Sequence, residues 1–221
     1  MATVISETSD SVTLNVGTDS FANIRGDVTS SGYWINNATT YDRGVMNGGT
    51  AGRGAPTYYM YRSYFPFDLS GESGTATSVT FNIVSDNIGT AADQEGTVFL
   101  VESTALAGSG DDYGNVFSSG TTLGTTLGLV VVSTSLGFHS CTLNSAGLAA
   151  VNSAIGSGTL TIGCMGWYDF QNSATPLDGD FVRISLHYAD NAVEAKRPYL
   201  DITYGGAAAA TDNATFFGTN F

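Results

Sequence analysis

The chain carries little charge and almost no lysine. Of its 221 residues only 12% are charged, and 7 basic residues stand against 20 acidic ones, for a formal net charge of −13. A helical enzyme usually carries more glutamate and lysine on its surface. A field of this sign repels duplex nucleic acid and anionic membranes, so we expect neither as a partner. The single lysine, Lys196, fits a surface covered by neighbouring molecules or neutral glycans, and it fits compositional drift equally well.

Signals for membrane passage are also missing. The first ten residues have neither the basic start nor the apolar core of a signal peptide. No run approaches the ~20 apolar residues of a membrane-spanning helix. We therefore expect synthesis in a cytoplasm, and both departure inside a larger particle and earlier loss of a signal stay open.

Sequence signatures of catalysis are absent too. The chain contains no G-x-S-x-G, H-x-x-x-H or C-x-x-C pattern, and its two histidines, His139 and His187, fall on different predicted strands. We predict that the protein is not an enzyme. A carboxylate pair for glycoside hydrolysis stays open, because 20 acidic residues allow many pairs.

The chain has only two cysteines, Cys141 and Cys164, on two predicted strands. A disulfide requires those strands to be neighbours. We expect buried free thiols, as is usual in a reducing compartment.

What the chain has in abundance is glycine, with 28 residues, together with serine and threonine. This composition favours short strands joined by tight turns. Alternating or β-rich runs predict eight strands: Tyr58–Leu69, Val79–Asn87, Gly96–Ser103, Leu127–Thr134, Phe138–Leu143, Thr159–Phe170, Phe181–Tyr188 and Tyr199–Tyr204. The strongest is Tyr58–Leu69, an aromatic run that Arg62 interrupts. One helix is predicted from Asn144 or Ser145 to Gly156.

These elements predict an all-β fold, an antiparallel β-sandwich of the jelly-roll kind with one short helix. Residues 19–205 form the domain, residues 1–18 are a first strand or an N-terminal arm, and residues 206–221 are a C-terminal arm. Residues 19–57 hold many turn formers and predict a long functional or contact loop with a short strand at 33–35.

Three stretches carry a family resemblance. Arg62 lies on a strand that ends in F-D-L-S at 67–70, a strand–helix–glycine–strand unit covers Cys141–Ile162, and residues 197–204 read R-P-Y-L-D-I-T-Y. Together they resemble the carbohydrate-binding-module-like jelly rolls of the DNRLRE type, which are appended to bacterial and archaeal surface and polysaccharide-degrading proteins. The resemblance covers roughly residues 20–204 and implies glycan binding. The aromatic tail at 206–221 departs from the family pattern.

The chain is also similar to tailed-bacteriophage virion proteins, such as capsid decorations or fibre components, which are acidic, rich in glycine, serine and threonine, and adhesive at their ends. This resemblance implies a non-enzymatic structural protein of a virion. Its terminal arms would contact other virion proteins and further copies of the chain in a homo-oligomer. The alternative is an extracellular glycan-binding module of a polysaccharide-processing system, with host or environmental glycans as partners.

Candidate site residues follow from these two interpretations. Glycan binding needs exposed aromatic faces, and assembly through the tail needs apolar anchors. The glycan candidates are Tyr33, Trp34, Tyr58, Tyr59, Tyr61, Trp167 and Tyr168, although alternate members of such runs also fill cores; the assembly anchors are Phe216, Phe217 and Phe221.

No cofactor is expected, with one exception. A structural Ca²⁺ needs several oxygen ligands on a loop, and Asp111, Asp112 and Asn115 are the first candidates. The alternative interpretation of this loop is that its acidic side chains are simply solvated and bind no ion.

Overall fold

The computed structural model describes residues 1–9, 11–17, 21–26, 33–36, 40–50, 57–90, 97–103, 106, 110–119, 122–131, 136–172 and 181–205. The strands in these ranges are β1 Ala2–Ile5, β2 Ser11–Gly17, β3 Tyr33–Asn36, β4 Thr40–Thr50, β5 Thr57–Asp68, β6 Ala76–Thr90, β7 Thr97–Ser103, β8 Phe117–Ser119, β9 Thr122–Leu123, β10 Thr126–Val131, β11 Gly137–Thr142, β12 Thr159–Gly166, β13 Phe181–His187 and β14 Tyr199–Tyr204. The helices are α1 Phe21–Gly26, α2 Ser145–Ala154 and α3 Trp167–Gln171, and 3₁₀ turns cover Gly110–Val116 and Glu194–Lys196. None of the helices in the described ranges has the length and apolar character that a membrane crossing requires.

The strands form an antiparallel β-sandwich, as predicted. One layer has the strand order β1-β14-β6-β11 and the other contains β2-β5-β12-β7-β10, with every pair antiparallel. Strands β4 and β13 connect β5 to β6 and so link the two layers. The long strands β5 and β6 therefore organise the domain.

The core lies between these two layers. The ring of Phe81 on β6 lies 6.1 Å from Phe65 and 6.2 Å from Phe67, both on β5. All three residues are 0% exposed. Because side chains alternate along a strand, the residues that neighbour Phe65 and Phe67 along β5 point away from this core.

The other face of β5 is covered as well. Arg62 and Tyr64 point to that side, where α1, the 3₁₀ turn at Gly110–Val116 and α3 lie over the sheet. A second apolar cluster fills this space and consists of Tyr64, Val101, Val116, Phe117 and Met165. Strand β5 is thus buried on both faces, which explains its continuous run of aromatic residues.

The predicted helix is α2. The side chain of Asn144 caps its start by accepting a hydrogen bond from the Gly147 N–H at 2.9 Å. Gly156 follows its end with φ +71°, a left-handed conformation that favours glycine. Two further helices, α1 and α3, were not predicted, and each has six residues or fewer.

For residues 1–18 the structure agrees with the first of the two alternatives, a strand of the domain, because β1 pairs with β14 and β2 pairs with β5 of the same chain. It corrects two other parts of the sequence interpretation. Residues 19–57 are not one long loop, since they contain α1, β3 and β4. The strand predicted for Thr159–Phe170 ends at Gly166, where α3 begins.

Cys141 and Cys164 are free thiols, as predicted; Cys164 is buried, as predicted, whereas Cys141 is only half-buried. They lie on β11 and β12, which are not paired with each other. Burial raises the pKa of both thiols, most strongly that of Cys164.

Candidate functional site

Arg62, the residue that interrupts the aromatic run of β5, lies at the centre of a buried ionic network. Its Nε and Nη2 atoms donate to the two carboxylate oxygens of Asp169 on α3, at 2.7 and 2.8 Å. Nη1 donates to the carbonyl of Tyr113 at 2.7 Å, and Nη2 donates to the carbonyl of Arg25 at 2.9 Å. The guanidinium carbon lies 4.0 Å from the centre of the Tyr113 ring. One side chain therefore joins β5 to α1, α3 and the intervening 3₁₀ turn.

The network is closed to solvent and its arginine is permanently charged. Arg62 and Asp169 are both 0% exposed. Burial by itself lowers the pKa of Arg62, but the charge of Asp169, with smaller effects from Tyr113 and Tyr64, outweighs it and the pKa is raised. A fully enclosed bidentate pair positions backbone segments and has no access to a ligand. We interpret it as structural.

The outward face of the β1-β14-β6-β11 layer offers an accessible surface. Residues paired across antiparallel strands share a face. One row across this layer consists of Thr142, Thr80, Asp201 and Thr3, and the next consists of Ser140, Asn82, Tyr199 and Ile5. Phe138 starts the following row, opposite Val84. These nine residues and Val84 form a surface that we call the outer face. It carries hydroxyl, amide, acidic, aromatic and apolar side chains.

Two aromatic rings meet on the outer face. Phe138 of β11 and Tyr199 of β14 have ring centres 6.1 Å apart, tilted by 33°. The two strands lie on either side of β6, so the rings meet above it. This explains why Asn82 and Val84 are only 2% and 9% exposed although they lie on the outer face. Phe138 itself is 55% exposed, so its ring is accessible from solvent beside Tyr199.

A groove begins beside Tyr199, on the side away from Phe138. It has a volume of about 450 Å³ and is lined by Thr3, Ile5, Glu194, Ala195 and Tyr199. Strand β1 forms one side and the 3₁₀ turn at Glu194–Lys196 forms the other. The two rings and the groove therefore lie along one face of four neighbouring strands, β11, β6, β14 and β1.

Hydrogen bonds fix the carboxylate on this surface. Asp201 accepts a bond from the Thr3 hydroxyl at 2.8 Å and a longer one from the Asn82 amide at 3.4 Å. Burial, and to a lesser extent the charge of Asp201, raises the pKa of Tyr199, so its hydroxyl is protonated at neutral pH. The surface therefore presents a fixed acceptor, a hydroxyl donor and two apolar rings.

The predicted glycan residues do not come together at this surface. Tyr61 is 2% exposed and Tyr168 is 7% exposed, and both belong to the core. We correct these two assignments, because a buried ring cannot present a face to a ligand. The half-buried residues Tyr58, Tyr59 and Trp167 pack against the same core.

Tyr33 and Trp34 lie on β3, where they pair with Leu14 and Thr13 of β2. Their side chains lie outside what the structure describes, so their role in glycan binding stays a prediction. The tail residues Phe216, Phe217 and Phe221 also lie outside the described residues.

The predicted metal ligands are on the 3₁₀ turn Gly110–Val116. Asn115 lines a cavity of about 290 Å³ that Glu102 and Ser118 also line, while the side chains of Asp111 and Asp112 are outside the described set. Nowhere in the described ranges do three histidine, cysteine or acidic side chains cluster as a metal site requires. The calcium site stays a prediction.

Sequence reasoning missed Phe138, Tyr199 and Asp201 as site residues. A signal for two of them was present: Leu200 and Ile202 alternate with Tyr199, Asp201 and Thr203, as expected for one buried and one exposed face. No comparable signal marks Phe138, since its approach to Tyr199 depends on the strand order.

In comparisons with known proteins, the chain matches neither a protein-family model nor a curated protein sequence.

Proposed function

We propose that the protein is a non-enzymatic binding module whose outer face holds a glycan. The observation that carries the proposal is the pair formed by exposed Phe138 and half-buried Tyr199 beside the groove, with the Asp201 carboxylate fixed in the adjacent row. Aromatic rings with an apolar body, combined with a few oriented polar groups, are the chemistry of a specific small-ligand site.

The geometry suits a saccharide chain in particular. The apolar C–H faces of sugar rings pack on aromatic rings, and their hydroxyls bond to side-chain acceptors and donors such as Asp201, Thr3 and Tyr199. A chain that crosses the strands would pass over Phe138 and Tyr199 before it enters the groove. The flat, solvent-facing surface fits a polymer better than a small molecule, which would need to be enclosed on most sides.

The first test is a glycan array followed by calorimetric titration with the best oligosaccharide. We expect Phe138→Ala and Tyr199→Ala each to weaken binding about 5- to 30-fold, because each removes a stacking surface worth on the order of 1–2 kcal/mol. Leu129→Ala is the matched control, since Leu129 is 49% exposed but lies on β10, outside the outer face.

Three results would contradict the proposal. The first is the absence of binding to any polysaccharide. The second is a loss of binding in Trp34→Ala but in neither outer-face variant, which would move the site to β3. The third is the appearance of new reducing ends or unsaturated products during incubation, which would show an enzyme.

We also propose, as the second candidate, a structural role in a virion as a capsid decoration or fibre component. One observation favours assembly with further copies or other virion proteins. Strand β1 ends the described sheet order and pairs there only with β14, so its other edge is available among the residues that the structure describes. Open edges are sites where a neighbouring chain can add a strand.

Deleting residues 206–221 tests the assembly role. We expect the deletion to abolish oligomerisation or particle incorporation, because it removes Phe216, Phe217 and Phe221, while the sandwich remains folded by circular dichroism. The described domain closes with β14 at Tyr204, before the deletion begins. Analytical ultracentrifugation measures the oligomeric state, and an unchanged assembly would rule out the tail as the anchor.

A further inference from the structure

We infer that the outer face selects glycans that carry basic amino groups, such as glucosamine polymers without their acetyl groups. The inference rests on the proposed function and names the ligand class of the same surface. It follows from the charges that flank the aromatic pair.

Two carboxylates frame Tyr199. Asp201 lies two residues along β14 on the same face, where Thr3 and Asn82 hold its side chain. Glu194 lies on the opposite wall of the groove that Tyr199 lines. An ammonium group bound in the groove beside Tyr199 would therefore lie near the Glu194 carboxylate and the Tyr199 ring, with Asp201 two residues further along β14.

Basic side chains do not balance these carboxylates at the groove. Its lining contains one charged residue, Glu194, among the residues the structure describes. The neighbouring Lys196 and Arg197 are not part of the lining, and the Arg197 Nε donates to the carbonyl of Asn191 at 2.7 Å. The lining of the groove itself thus carries one negative charge, where a sugar substituent would lie.

The charge of the whole chain acts in the same direction. A net charge of −13 attracts cationic polymers and repels uronate-rich or sulfated ones over a Debye length. Neutral sugars would use the stacking and hydroxyl contacts alone. Amino sugars would use these contacts and gain the electrostatic attraction as well.

The test compares three hexasaccharides by calorimetric titration at low ionic strength, with the full chain. They are a glucosamine hexamer, the matched N-acetylglucosamine hexamer and a galacturonate hexamer, at a pH at which the amines are protonated. We expect the glucosamine hexamer to bind about 2- to 20-fold more tightly than its acetylated counterpart, as for one or two partly exposed ion pairs. Added salt should reduce this ratio, and the galacturonate hexamer should bind least tightly.

In the double variant Asp201→Asn, Glu194→Gln, the glucosamine hexamer and the N-acetylglucosamine hexamer should bind with similar affinity. Asp68→Asn removes one negative charge at an exposed position at the end of β5 and should leave the ratio as it is. Equal affinities in the unaltered protein, a ratio that survives the double variant, or tightest binding of galacturonate would overturn the inference. If array glycans bind through Phe138 and Tyr199 but the glucosamine hexamer does not, only the inference fails. If no glycan binds at all, the proposed function fails with it.

Discussion

Asp169→Asn is expected to lower the free energy of unfolding by about 3–5 kcal/mol, because it leaves a buried arginine without its counter-charge. Arg62 directs two hydrogen bonds to the Asp169 carboxylate, at 2.7 and 2.8 Å, and neither residue is exposed to solvent. A second guanidinium, that of Arg25, lies 3.5 Å from the same carboxylate. An asparagine keeps the shape and one acceptor oxygen, but two positive charges would then share a neutral partner. Urea denaturation followed by fluorescence measures the change.

The matched control is Asp68→Asn, which changes the same side chain at an exposed position and should alter stability by less than about 0.5 kcal/mol. The double variant Arg62→Met, Asp169→Leu should be more stable than Asp169→Asn, since it leaves one buried guanidinium, that of Arg25, without a counter-charge rather than two. A loss below about 1 kcal/mol in Asp169→Asn would contradict our view that this ion pair holds α3 on β5.

Phe81→Ala is expected to cost about 3–5 kcal/mol, because it opens a cavity between the two layers of the sandwich. Phe81 is the residue of β6 that contacts both Phe65 and Phe67 of β5, with ring centres 6.1 and 6.2 Å away. Neighbouring rings in a close-packed core relax only partly into such a space. The variant should unfold at a lower urea concentration with little change in the slope of the transition.

Phe138→Ala is the control for this substitution, since it removes the same side chain from the outer side of the adjacent strand. Phe138 is 55% exposed, whereas Phe81 is 0% exposed. The two variants should separate stability from binding: Phe81→Ala unfolds more easily, and Phe138→Ala stays folded but binds glycan weakly. Comparable losses of stability in both variants would contradict the assignment of Phe138 to an open surface.

Most strands could be predicted because each buries residues in a simple pattern. The run from Val98 to Val101 is apolar at every position, and the structure buries it on both faces. The helix α2 could be predicted for the same reason, with a capping asparagine before it and a glycine after it. These signals are local, so the surrounding fold does not alter them.

The errors occurred where local signals conflict with long-range pairing. Strand β4 contains Asn47, Gly48 and Gly49, which favour a turn, but β5 and β13 pair with it on either side and supply its hydrogen bonds. The run at Trp167–Gln171 is rich in aromatic residues, which favour strands, yet it forms α3. There Asp169 reaches Arg62, a contact that spans 107 residues of sequence.

By itself the sequence determined the class of the fold: an acidic, glycine-rich chain of β-strands with one capped helix. Tertiary structure alone decided which side chains meet. Phe138 and Tyr199 lie 61 positions apart in the sequence, and they form a surface only because β11 and β14 flank the same strand. Alternation along a strand tells which residues share a face, since it depends on backbone geometry. Strand order depends instead on the packing of the whole domain, and this is why the candidate site could be found only in the folded protein.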